Sequence, residues 1–190
     1  MKLQSIGAAV MILGSALFLI AAFMPLSMRV YSMADASKRL DTIIASLTQW
    51  RISQVLFGLG SLVGALGVGI FAFAVRGQLF ALSLFLAAPG LAVGAVLWSI
   101  HVYRRAIDPQ AFAFGTLPGW PFAVYTILTL IGILLIGVAA LSMWLPSWVG
   151  WLTIGAPVIL FVVYLVGKDM PPFVHYLLLL IVGIAISRLG

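Results

Sequence analysis

Residues 52–103 read ISQVLFGLGSLVGALGVGIFAFAVRGQLFALSLFLAAPGLAVGAVLWSIHVY, and the only charged side chain among them is Arg76. Arg76-Gly77-Gln78 divides the stretch into apolar runs at 52–75 and 79–103. Each is longer than the ~20 residues an α-helix needs to cross the hydrocarbon of a bilayer. In that solvent no water satisfies the backbone, so each run must pair its own N–H and C=O groups, as a helix does. A three-residue connection then makes the two helices an antiparallel hairpin.

Working outward, the same reading gives spans at 6–24, 121–144, 148–167 and 170–189. Pro25 is expected to stop the first span. Pro121 suits the first position of a helix, and Pro171 and Pro172 fall in the first turn of the last. The run at 6–24 exceeds the roughly 7–15-residue core of a signal peptide, so it is expected to stay as a span. Composition agrees, with 64% hydrophobic and 7% charged residues, against about 25% charged in a soluble domain. A soluble fold of this length has too little interior to hide that much apolar surface. The expected fold is all-α: one membrane domain, 1–190, built as an integral membrane six-helix bundle.

The long connection after the first span carries Met33, Ala36, Leu40, Ile43, Ile44, Leu47 and Trp50 at helical spacing, with polar residues between them. This predicts an interfacial amphipathic helix at about 33–49, between the first and second spans. Ser32 and Asp35 are placed to cap its start, and Asp35 to pair with Arg39 four residues on.

Charge divides unequally between the two membrane faces. Connections one, three and five hold Arg29, Lys38, Arg39, Arg51, Arg104, Arg105 and Lys168, whereas the opposite face has Lys2, Arg76 and Arg188. Seven cations against three predict cytoplasmic odd connections and both termini outside. Because these cations come singly or in pairs, the net charge of +6 is a topology signal and not a nucleic-acid footprint. All four Asp and both His also lie toward the odd face, and the five Tyr lean to it. Trp50, Trp98 and Trp120 are expected to mark that interface as an aromatic belt, and Trp144, Trp148 and Trp151 the other.

The chain has no Glu and no Cys, which excludes glutamate bases and thiolate chemistry. Inward of the span ends there is no Asp, Lys or Arg, although proton relays and ion pathways use such residues. Proton-coupled transport is therefore not expected. A rhomboid-type site, with a G-x-S nucleophile and a deep histidine, is missing too. His101 and His175 sit at similar depths. They are read as interfacial histidines or, alternatively, as two axial ligands of a b-type haem; no other cofactor and no metal site is predicted. Arg51, Arg104, Arg105 and Lys168 are candidates to hold a phosphate or carboxylate head group, or simply anchor helix ends.

Small residues recur at four-residue spacing: Gly60 with Gly64, and Ser61 with Ala65 and Gly69, on the second span; Ala88 with Ala92, and Gly90 with Gly94, on the third. Such stripes let helices approach closely. They are expected to pack on each other across the hairpin, or else to form a homodimer face. Pro89 and Pro157 are expected to kink the third and fifth spans.

The expected function is that of a non-enzymatic membrane protein, either an accessory or assembly subunit or a binding module for a lipid or apolar ligand. A small carrier or channel using the kinked spans is one alternative, and a haem-binding redox subunit the other. The expected partners are membrane lipids, and another membrane subunit or a second copy of the chain.

Leu145-Pro146-Ser147-Trp148-Val149-Gly150-Trp151-Leu152 resembles the L-P-x-W-x-G-W-L turn of small polytopic bacterial membrane proteins of unknown function. There, too, the turn joins two late helices. The layout of a first helix, a proline, an amphipathic stretch and a tryptophan opening the second span is also similar. The resemblance implies a bacterial or archaeal cytoplasmic membrane. It supplies no activity and no catalytic residue.

Overall fold

A computed structural model describes residues 2–143, 145–167 and 170–188. Trp144, Lys168, Asp169 and Leu189 lie outside the described residues. Among the described residues there are nine helices and no strand: α1 (Leu3–Phe23), α2 (Pro25–Ser32), α3 (Ala36–Ala45), α4 (Leu47–Ala74), α5 (Ala81–Ile107), α6 (Pro109–Ala113), α7 (Trp120–Leu141), α8 (Ser147–Gly167) and α9 (Phe173–Ser187). Five of them, α1, α4, α5, α7 and α8, are long and apolar enough to cross a membrane. The sixth apolar helix, α9, has 15 residues.

The boundaries depart from expectation where backbone chemistry intervenes. Pro25 does not merely end α1; it occupies the first position of α2, where its missing N–H is harmless. The helix expected at 33–49 is divided. Ser46, at φ −136° and ψ 40°, leaves the helical region between α3 and α4, so residues 47–49 already belong to the second span. Asp35 alone caps α3, accepting the Lys38 backbone N–H at 3.0 Å. The Ser32 hydroxyl instead donates to the Arg29 carbonyl. Arg39 does not pair with Asp35: its guanidinium donates to the Met33 carbonyl and, at 3.2 Å, to the Ala113 carbonyl. Pro172 is the N-cap of α9 and not part of its first turn.

The helices pack in the order α9, α1, α4, α5, α7, α8, and α9 also touches α7 and α8. The tightest seam is α1 on α4. A Cβ on Gly14 would stand 2.2 Å from the Gly64 backbone nitrogen, one on Gly60 2.6 Å from that of Phe18, and one on Gly67 2.4 Å from that of Met11. The Gly60/Gly64 stripe of α4 therefore meets α1, and not α5 as the hairpin suggested. Ser61, one position round the helix, does face α5: its hydroxyl lies 3.4 Å from the Ala95 carbonyl, and Ser99 answers across the same seam to the Gly58 carbonyl at 3.3 Å. Gly94 faces α7, with Thr129 Oγ1 3.4 Å from where its Cβ would be, and Gly90 faces Leu128 more loosely. Gly69 has nothing within 4 Å.

Pro89 and Pro157 each lie inside one continuous helix. The two helices flank α7, which packs on both. In the Leu145–Leu152 turn, Leu145 and Val149 are buried while Trp148 and Trp151 face outward. A Cβ on Gly150 would come 2.6 Å from Leu141 Cδ2, so the α7–α8 hairpin closes this tightly on a glycine.

Candidate functional site

One end of the helix assembly is built from rings. Phe18 near the end of α1, Phe57 early in α4, Trp98 late in α5, Phe122 and Tyr125 early in α7, Tyr164 late in α8, and His175 and Tyr176 at the start of α9 form one connected network. Only helices that alternate in direction can bring those ends together. Phe18 stacks on Tyr176 at 3.7 Å and meets the edge of Phe57 at 4.8 Å. Trp98 stacks on Tyr125 at 4.7 Å. The Tyr125 and Tyr176 hydroxyls lie 3.4 Å apart. Each such ring pair adds about 0.5–1.5 kcal/mol to the area it buries.

Both histidines belong to this network and are buried among the helices. His175 is 0% exposed, and neither ring nitrogen has a hydrogen-bond partner among the described residues. Its ring stands edge-on to Tyr125 at 6.0 Å. His101 is buried against Trp98 and Phe122. The two imidazoles share an end and are linked through Trp98 or Phe122 and then Tyr125. Trp50 and Trp98, expected in the interfacial belt, are buried at 0% and 1%. Trp120, Trp148 and Trp151 do face outward.

Over this end sits a cap. Leu26 and Val30 of α2, Ile43 of α3 and Trp50 of α4 form a second apolar cluster, with Leu47 and Phe112 packed against it. Gly115, at φ +68°, ends α6 in the left-handed region that glycine enters freely. Arg105 ties cap to core. Its guanidinium lies over Phe112, Trp98 and Tyr31, with Cζ 5.0, 5.2 and 5.8 Å from the ring centroids, and donates to the Tyr31 hydroxyl at 3.1 Å. The Trp50 indole N–H donates to the Arg105 carbonyl at 3.0 Å. Among the head-group candidates, then, Arg105 is an internal clamp, because a planar delocalised cation is held best by aromatic faces. Arg51 and Arg104 are exposed, and Lys168 lies outside the described residues.

The opposite end is open. Between α4 and α5 runs an apolar groove of about 510 Å³. Its floor is small: Ala65 and Gly69 on α4, with Ala88, Pro89 and Ala92 on α5. Leu66 (58% exposed) and Phe85 (44%) stand at its rims. The residues read as a packing stripe thus divide by face. Gly60, Gly64 and Ser61 are spent inside, and Ala65 and Gly69 line the groove.

Sequence reasoning missed the ring network. Its signal was the placement of Phe18, Phe57, Trp98, Tyr125 and Tyr176 at matching distances from one face in alternating spans. The fold and its long apolar helices define a multi-pass helical membrane protein. No protein-family model, no curated protein and no solved structure matches the chain.

Proposed function

We propose that the chain is a non-enzymatic, six-span membrane protein that binds a lipid-like apolar ligand in the α4–α5 groove, as a binding module or an accessory subunit. The observation that carries this reading is the groove itself. Its volume falls in the ~300–1,000 Å³ range of ligand sites, its lining is apolar, and it opens on the outer face of two membrane-length helices.

In this reading α9 is the sixth span. Its 15 residues rise about 22 Å, and a bilayer of ~30 Å thins locally to meet it. The cap of α2, α3 and α6 lies at the membrane surface, on the face whose excess of Lys and Arg makes it cytoplasmic. The likeness of the Leu145–Leu152 turn favours a bacterial or archaeal cytoplasmic membrane.

Gly69→Trp tests the site. Nothing lies within 4 Å of a Cβ there, so a side chain at 69 starts in open space, and Gly69 lines the groove that the indole is meant to occupy. Native mass spectrometry of the wild type after delipidation should retain one apolar molecule, and Gly69→Trp should lose it. Equal retention by both, or none by either, removes the reading. A Soret band in the purified protein would instead favour a haem held by His101 and His175.

A further inference from the structure

We infer that His175, beside Tyr125, holds a neutral hydroxyl-bearing molecule among the helices, at a site separate from the groove. A neutral imidazole has one N–H donor and one lone-pair acceptor. Both His175 nitrogens are buried in a residue that is 0% exposed, and neither has a partner among the described residues. Leaving a buried donor or acceptor unmade is costly, and one side chain here carries two such penalties. A third unpaired group lies across Tyr125. Trp98 is 1% exposed and its Nε1–H is buried without an acceptor. Tyr125 stands between these two side chains, stacked on Trp98 at 4.7 Å and edge-on to His175 at 6.0 Å.

The chemistry of these groups fixes the class of occupant. An imidazole N–H and an indole N–H ask for acceptors, and the second imidazole nitrogen asks for a donor. A hydroxyl offers both a donor and an acceptor, so it can serve whichever of these groups it reaches. An ion is unsuited, because the rings in contact with His175 and Trp98, apart from Arg105 on the cap side of Trp98, carry no charge to offset its desolvation. The dense packing of rings around Tyr125 favours a small occupant. Water and the hydroxyl end of an amphiphile share this chemistry.

The test needs no disruptive mutation. Protein labelled with 15N-histidine is measured by solid-state NMR in two preparations: as extracted, and after delipidation into pure phosphatidylcholine vesicles. His101→Phe leaves His175 as the one imidazole signal; should that variant not fold, a correlation to labelled tyrosine picks out His175 beside Tyr125 in the wild type. The expected result is a hydrogen-bonded shift on at least one His175 nitrogen. Shifts retained in both preparations, with polarisation transfer from water, assign the hydroxyl to water. Shifts lost on delipidation assign it to an amphiphile. Free, non-hydrogen-bonded nitrogens in both preparations overturn the proposal.

Discussion

Glycines of identical chemistry carry opposite consequences in this chain, depending on what a methyl group would meet. At Gly14 a Cβ collides with the Gly64 backbone at 2.2 Å, and backbone cannot step aside. Gly14→Ala should therefore force α1 from α4 and lower stability by about 1–3 kcal/mol, the usual effect of overpacking. Gly69→Ala meets open space and should be neutral or stabilising by about 0.5–1 kcal/mol, through helix propensity. Thermal unfolding of both variants in one detergent checks the pair, and a similar response from the two would contradict the α1–α4 seam. Arg105 offers a second contrast. Arg105→Lys keeps the charge but lacks the planar face that lies over Phe112, Trp98 and Tyr31. It should lose about 2 kcal/mol, nearly as much as Arg105→Ala. Full retention of stability in the lysine variant would show that charge alone matters there.

At the scale of elements, α3 depends on one exposed carboxylate. The hydrogen bond from the Lys38 backbone N–H holds the Asp35 carboxyl below its ordinary value of 3.8. A carboxylate whose value is lowered on folding contributes fully above that ordinary value, and its contribution fades as pH falls through the lowered one. Limited proteolysis across residues 33–45 should thus be unchanged at neutral pH and rise only below about pH 4. Asp35→Ala should show the rise at every pH, while Asp35→Asn, which also caps, should stay protected and lose the acid dependence. Cleavage that ignores both substitutions would exclude the cap.

The existence of the long helices was legible in sequence, because nothing but a span explains runs such as 52–75 and 79–103. Which face of each helix meets a neighbour was not. Hydrocarbon and helix neighbours are equally apolar, so hydropathy, which marks the inner face of a soluble helix, is silent here. Gly60 and Gly64 announced a close approach without saying that α1 makes it. His175 and Trp50 showed their depth along a helix but not their direction around it, and an interfacial side chain and a core side chain share that depth. Arg105 read as a head-group ligand for the same reason.

Taken whole, the molecule has a ring-packed end under a cap and a small-residue end that opens sideways. The hydrocarbon must accommodate both. Under the six-span reading, α9 is the shortest crossing, so thicker bilayers should loosen it first. The chain has no cysteine, and single cysteines at Phe173 and Ser187 then report directly. Their labelling should change with acyl-chain length more than that of cysteines flanking α1 or α7. A uniform response along all helices would count against α9 as a span.

The place of α9 also dictates a schedule for biosynthesis. It lodges beside α1, which is synthesised more than a hundred residues earlier, and it brings the ring that stacks on Phe18. Until α9 emerges, the nascent chain holds Phe18 and Tyr125 without the two side chains that complete their surroundings. Closure of this seam therefore waits for α9, and every helix made before it is held in an unfinished packing until then.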